Sequence, residues 1–379
     1  MKTSGWSPVE DVELQGDPAL AEALGDALGE VGRWDQLTHG FHTYPAGMHP
    51  GCARRLVELS NGPVHDPFCG GGTTLIEALV AGRPCSGADL GPIAVMVAKG
   101  RTTLWPEDRI RRFRGAGRRI CEEAKGWKTL PRDSAVRAMS TWYERHVAME
   151  LEGIRQGIRH APDEVQELLV FALSSILVKV SHRRSDTSSK RDARHRAPET
   201  TAILFHKKVR ELGRRLEALA EEVPDGTPGA RIARGDARET DPIQPVGALI
   251  TSPPYPAVYD YLPLQRLRCA WLEIDDRPFQ PAEMGARRRF QSDPKKAWRA
   301  WRDSLGAWMN RVPDQLRPGG TLSVVIGDGF AKGKVIDALH PIEEAGRDAG
   351  LQPLARASGV RHDHGPGVAR REHIVVFGR

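Results

Sequence analysis

Two short stretches of the chain carry residue types and spacings that can do chemistry. The first is Asp66-Pro67-Phe68-Cys69-Gly70-Gly71-Gly72-Thr73-Thr74. Three consecutive glycines let backbone N–H groups approach a ligand without interference from a Cβ. Thr73 or Thr74 can cap a following helix. Asp89 comes later, in Gly87-Ala88-Asp89, at the end of a second strand pattern. A carboxylate there is suited to accept hydrogen bonds from ribose hydroxyls. This pairing points to a nucleoside-type cofactor. The loop lacks the Gly-Lys-Ser/Thr ending of a phosphate-cradling NTPase loop.

The second stretch is Thr251-Ser252-Pro253-Pro254-Tyr255. Two prolines in series fix φ and make a rigid extended turn. Their carbonyls accept hydrogen bonds and their nitrogens donate none, which suits recognition of an amino group. Tyr255 offers a flat face for stacking on a planar ring. Standing alone, such a segment reads first as a proline-rich surface turn.

Both stretches need a strand before them to aim them. Pro63–His65 and Ala248–Ile250 supply short apolar runs at the right places, and Pro84–Ala88 precedes Asp89. Helical patterns cover Pro18–Val31, Pro50–Leu59, Thr73–Val80 and Ile93–Gly100, with Gly82 placed to end the third. Strand alternating with helix at this pitch predicts a parallel, doubly wound sheet. From about Trp105 to Val223 the apolar residues recur at helical spacing instead, as in Val147, Leu151, Ile154 and Ile158. The strand pattern resumes at Ala230–Ala233. A turn at Arg317-Pro318-Gly319-Gly320 leads into a buried strand over Thr321–Ile326. Ala355–Val360 and His373–Phe377, joined through a Gly365–Gly367 loop, predict an antiparallel closing hairpin.

Taken together, Asp66–Thr74 and Thr251–Tyr255 resemble the amino-methyltransferases of DNA, whose motifs are Asp-Pro-Phe-x-Gly-x-Gly-Thr and (Asp/Asn/Ser)-Pro-Pro-Tyr. The serine version looks most like the enzymes that methylate cytosine N4. Phe41-His42-Thr43-Tyr44-Pro45-Ala46 resembles the family's N-terminal cofactor motif, Gly235-Asp236-Ala237 its third-strand acidic motif, and Leu316–Gly320 a turn common in methyltransferases. The resemblance covers about 41–104 and 231–379. It implies an α/β fold: a Rossmann-like S-adenosylmethionine-dependent methyltransferase sheet with a helical insertion between the second and third strands.

The cofactor implied is S-adenosyl-L-methionine, held by His42, Tyr44, Asp66, Phe68, Gly70, Gly72, Thr73, Thr74, Asp89 and Asp236. The catalytic residues implied are Ser252, Pro253, Pro254 and Tyr255. Ser252 and the Pro253 carbonyl would bind the target amine, and Tyr255 would stack on a base flipped from duplex DNA or taken from a single strand. No covalent bond to the base is implied, so Cys69 reads as a packing residue. The domain expectation is a lead-in over 1–40, a catalytic domain from 41–104 and 226–379, and an insertion over 105–225 that could recognise the target. The insertion departs from the family, whose recognition region sits closer to the catalytic motif.

Charge bears on the partner. Of 379 residues, 55 are Lys or Arg against 49 Asp or Glu, a net +6 that permits a polyanionic partner without requiring one. His182–Arg196 concentrates Arg183, Arg184, Lys190 and Arg191 with Ser and Thr hydroxyls, a composition suited to phosphate contacts. Arg287-Arg288-Arg289 could line a substrate groove. Arg109–Arg119 has the spacing of a solvated helix face. Tyr259 and Tyr261 could stack on bases or pack beneath the loop.

The five cysteines show no metal-ligand spacing, and His49, His362, His364 and His373 form no ligand set, so no metal is expected. No signal peptide is apparent, and no run approaches the roughly 18 apolar residues of a membrane span. We therefore expect a cytoplasmic protein whose partner is DNA, with a partner nuclease left open. Adenine N6 of DNA, guanine N2 of tRNA, and a non-catalytic nucleic-acid-binding scaffold are the rival readings.

Overall fold

A computed structural model describes residues 7–45, 47–186, 188–192, 195–362 and 369–379. Ala46, Thr187, Arg194, His364 and the Gly365–Gly367 loop lie outside the described residues.

The main sheet contains β1 (Glu10–Gly16), β2 (Val64–Asp66), β3 (Cys85–Asp89), β6 (Arg231–Arg234), β7 (Val246–Thr251), β8 (Leu316–Gly327), β11 (Gln352–Arg361) and β12 (Arg370–Gly378). Their order across the sheet is β1-β11-β12-β8-β7-β2-β3-β6. The run β6-β3-β2-β7-β8 is parallel. β12 runs antiparallel between β8 and β11, and β1 pairs antiparallel with β11. From β2 the chain moves one way across the sheet through β3 to β6, and from β7 the other way to β8. The direction reverses between β2 and β7, which is where an open α/β sheet forms its ligand crevice.

Apolar side chains fill both faces of the sheet. Ala248 and Ile250 of β7 join one core with Leu24, Leu56, Leu79 and Ile374. Val246 and Leu249 join the opposite core with Trp301, Trp308, Val324 and Phe377. Helices α1 (Pro18–Leu28), α2 (Pro50–Glu58) and α3 (Thr73–Val80) pack over the sheet, and α4 (Pro92–Arg101) follows β3. Pro50 and Pro92 open their helices, where the missing N–H costs nothing. Gly82 ends α3 at φ +69°. Residues expected to be a lead-in thus furnish an edge strand and a helix of the main core.

The insertion comprises α5 (Glu107–Lys125), α6 (Ser134–Ser140), α7 (Arg145–Arg159), α8 (Asp163–Leu177), the hairpin β4 (Arg183–Ser185) and β5 (Ser188–Arg191), and α9 (Thr200–Glu222). It falls between the second and third strands of the parallel run, so the fold is the Rossmann-like sheet with helical insertion expected from the sequence. Its core is continuous with the sheet layer: Ile154, Leu169, Phe171 and Phe205 share one cluster with Ile93 and Val97 of α4 and Trp271 of α10 (Tyr261–Trp271). Beyond α10 come α11 (Arg287–Ser292) and α12 (Pro294–Met309), and a small pair of strands, β9 (Gly329–Ala331) and β10 (Lys334–Ile336).

Two local expectations need correction. The Arg317–Gly320 segment lies inside β8 as an irregularity: the register with β7 passes from Val246 opposite Leu316 to Ala248 opposite Thr321. Gly319, at φ +73°, absorbs the extra residues. Neither Thr73 nor Thr74 caps α3. Gly72 occupies the cap position at φ +78° with no side-chain cap, and the Thr74 hydroxyl is turned to Asp66.

Candidate active site at the switch point

The crevice at the carboxyl ends of β2, β3 and β7 encloses about 970 Å³, including its mouth to solvent. Both sequence stretches meet there. Pro67, Phe68 and Gly70 contribute from the glycine loop, Asp89 from the end of β3, and Ser252 and Pro254 from the proline turn.

Asp89 is held as a fork. Its Oδ2 accepts from Gly70 N at 2.9 Å and its Oδ1 from Gly91 N at 2.7 Å. Burial pushes its carboxyl up to about 6, against the pull of those two N–H groups. Each oxygen keeps a lone pair for a further donor, as a ribose diol would supply. A Cβ on Gly91 would sit 3.1 Å from Asp89 Oδ1, a tight contact that would push on the fork. Tyr44 closes one side. Its ring stacks on Tyr261 at 6.4 Å between centroids and 17° between planes. Burial, and then Asp89, hold its phenol well above the ordinary range.

Other residues of the expected cofactor set lie behind the crevice. Asp66 is buried, with its Oδ1 accepting from Thr251 Oγ1 at 2.6 Å and Phe68 N at 3.1 Å. Burial lifts it to about 7, and the bonds from Thr251, Thr74 and Phe68 oppose that rise. It therefore ties the two loops together across β2 and β7 and does not line the crevice. Gly72, Thr73 and Thr74 stand behind the loop in the same way; a Cβ on Gly72 would lie 3.1 Å from Ala98 Cα. His42 is also buried, with Nε2 2.9 Å from Ser174 Oγ and its ring stacked on Phe171. Asp236 lines the crevice but already receives Arg238 through both oxygens. Burial raises its carboxyl, and the guanidinium more than reverses that.

In the proline turn, Ser252 and Pro254 face the crevice. The Pro254 carbonyl accepts from Trp301 Nε1 of α12 at 3.0 Å. Pro253 is buried. Tyr255 sits outside the lining: its hydroxyl bonds Glu372 Oε1 at 3.0 Å, and its ring lies where a Cβ on Gly327 would come within 2.7 Å.

The basic candidates separate. Arg183 is buried and donates to the carbonyls of Leu264 and Ser188, each at 2.7 Å, so its guanidinium is a structural clamp and not a surface contact. Arg184, Lys190 and Arg191 are exposed, and Arg191 lies over the Trp142 ring at 4.3 Å. Arg287 pairs with Asp260 at 3.7 Å, and Arg288 with Asp260 at 3.3 Å and Glu283 at 2.6 Å. Arg289 donates to the carbonyls of Gln280 and Pro281.

Several lining residues went unremarked in the sequence. Leu262, Gln265 and Cys269 of α10, and Phe279, Glu283 and Met284 beyond it, complete the walls. Tyr261, Gln265 and Cys269 recur every four residues, a spacing that could have flagged one helix face behind the catalytic turn. Arg101 is buried and donates to the carbonyls of Gly71 at 3.0 Å and His42 at 2.5 Å, fixing the loop's back. Among the described residues, no group of three or more His, Cys, Asp or Glu could hold a metal ion, and no helix is long and apolar enough to cross a membrane.

Fold and site define a Rossmann-like protein with a lined crevice at its switch point. No protein-family model matches the chain. The type II methyltransferase M.MvaI of Kocuria varians is 28% identical over 163 residues, which is 40% of this chain and 36% of that protein. The match thus spans about a third of the relative's length. Among solved structures, TrmN from Thermus thermophilus is 12% identical at a TM-score of 0.33, over 88% of this chain and 50% of that one. The rRNA methyltransferase aviRa from Streptomyces viridochromogenes is 11% identical, also at 0.33, over 90% and 89%.

Proposed function

We propose that the protein is an S-adenosylmethionine-dependent methyltransferase that methylates an exocyclic base amine of DNA, cytosine N4 first among them. The observation that carries the reading is the convergence of the Gly70–Asp89 fork and Ser252 on one crevice. The partial identity to a type II methyltransferase supports it. The residues present fit the cofactor: a paired carboxylate for the ribose, glycines at close approach, and apolar walls from Phe68 and Ile93 for a purine.

Bound S-adenosylmethionine would supply an electrophilic methyl. The chain's own part is to orient the amine. The Ser252 hydroxyl and the Pro253 carbonyl accept the two amine hydrogens and draw the nitrogen lone pair out of the ring. The motif gives Tyr255 the stacking role; its ring stands beside the crevice lining, with its hydroxyl held by Glu372, so a base would meet it at the crevice mouth. The rate gain comes from positioning and preorganised acceptors. A base flipped from duplex or presented on a single strand would reach this turn.

The test is transfer of labelled methyl to duplex DNA, single-stranded DNA and bulk tRNA in parallel, with nucleosides identified by mass. N4-methylcytosine in DNA is expected, lowered about a hundredfold in Ser252→Ala and in Tyr255→Ala, with cofactor binding retained. N6-methyladenine would move the assignment to adenine. Label in tRNA alone would overturn the DNA reading, and absence of cofactor binding would favour a non-catalytic scaffold.

A further inference from the structure

Helix α10 begins six residues after Tyr255 and presents Tyr261, Leu262, Gln265 and Cys269 to the crevice. Gln265 is only 6% exposed. Its Oε1 accepts from Arg268 Nη1 at 2.9 Å. Arg268, itself 1% exposed, is immobilised by the Ser174 carbonyl at 3.2 Å and by the Asp186 carboxylate. This clamp decides the orientation of the amide. A flipped Gln265 would turn two N–H donors onto a guanidinium that has only donors to offer.

The other end of the amide, Nε2, is buried and has no hydrogen-bond partner among the described residues. A buried donor left without an acceptor carries the desolvation cost of its N–H uncompensated. Such an orphan in a crevice wall, held in place by a second buried residue, asks for an acceptor from a ligand. The crevice wall also carries the apolar Ile93, Leu262 and Phe279, which suit a flat ring whose edge carries the acceptor. Tyr261, at the first turn of α10, stacks on Tyr44. Gln265 lies one turn further along the helix, about 6 Å from Tyr261 along its axis.

We infer that the Gln265 amide donates to a ring nitrogen of the cofactor's adenine, and that Arg268 is the positioning residue that keeps the amide turned that way. The inference rests on the reading that the crevice holds S-adenosylmethionine.

The experiment measures binding of S-adenosylhomocysteine and its 1-deaza, 3-deaza and 7-deaza adenine analogues to the full chain by calorimetry. Wild type and Gln265→Glu are compared. The variant keeps an oxygen for Arg268, gains a charge paired with it, and removes both donors. Urea midpoints confirm its fold, and Gln265→Leu serves if that variant does not fold. One analogue, which presents C–H in place of the accepting nitrogen, is expected to bind wild type at least tenfold more weakly than the parent. In the variant that difference is expected to vanish. Equal discrimination in wild type and variant, or none in wild type, overturns the inference while leaving the cofactor reading intact. A wild-type protein that binds none of the four compounds overturns the cofactor reading itself.

Discussion

At the scale of single residues, the two strand-end carboxylates divide the work. Asp89 faces the crevice, and Asp66 stands behind it joining Phe68 N to Thr251 Oγ1. The burial that suits Asp66 to this task penalises its charge, so its carboxyl rises from an ordinary value near 3.9 to about 7. Between those two values the folded chain holds a proton that the unfolded chain has lost. Stability from this group is therefore complete below about pH 4 and is lost as pH rises through 7. Asp66→Asn keeps the oxygen that accepts from Phe68 and Thr251 and removes the titration. Its urea midpoint is expected to fall less between pH 5 and pH 8 than that of wild type. Identical slopes for the two proteins would show that Asp66 is charged throughout.

At the scale of elements, the glycine loop joins β2 to α3 and packs against α4. Gly72 starts α3 in the left-handed region at φ +78°, with Ala98 of α4 packed against the place a Cβ would take. Gly72→Ala meets both obstacles at once, strained backbone and a 3.1 Å contact with Ala98 Cα. We expect a loss of about 1–3 kcal/mol in chemical denaturation, with weaker S-adenosylhomocysteine binding because Gly70 and its bond to Asp89 shift with the turn. An unchanged midpoint would mean that α4 yields.

Much at this scale was legible beforehand. The strand–turn–helix around Gly70, the helix Thr73–Val80 and the closing hairpin all follow from local pattern, since glycine, proline and apolar alternation act over a few residues. What escaped was set by distance in sequence. Arg101 reaches the Gly71 and His42 carbonyls, and Trp301 reaches Pro254. No local rule announces that a charged or aromatic residue will brace a loop so far away. His42 illustrates the converse: its motif was visible, but its burial against Phe171 and Ser174 depends on where α8 packs.

At the scale of the whole molecule, the insertion and the crevice form one mechanical unit. The β4–β5 hairpin is bolted to α10 twice, by Arg183 on the Leu264 carbonyl and by Asp186 on Arg268. Its basic residues thus have opposite duties. Arg183 points inward, while Lys190 stands exposed on the outer edge, where a nucleic-acid backbone could pass. The two substitutions should separate cleanly. Lys190→Ala is expected to weaken nucleic-acid binding and to lower the slope of log K against log salt by about 0.9 for duplex or about 0.7 for a single strand, one phosphate's worth. Its binding of S-adenosylhomocysteine should stay unchanged. Arg183→Ala should leave that slope alone but lower the denaturation midpoint, because a buried carbonyl and the α10 anchor lose their donor. Salt titrations of both variants by fluorescence anisotropy decide the matter. A slope that Lys190→Ala does not move removes the hairpin from the nucleic-acid surface, and a slope that Arg183→Ala does move shows that the hairpin's seat on α10, not its charge alone, presents the substrate to the crevice.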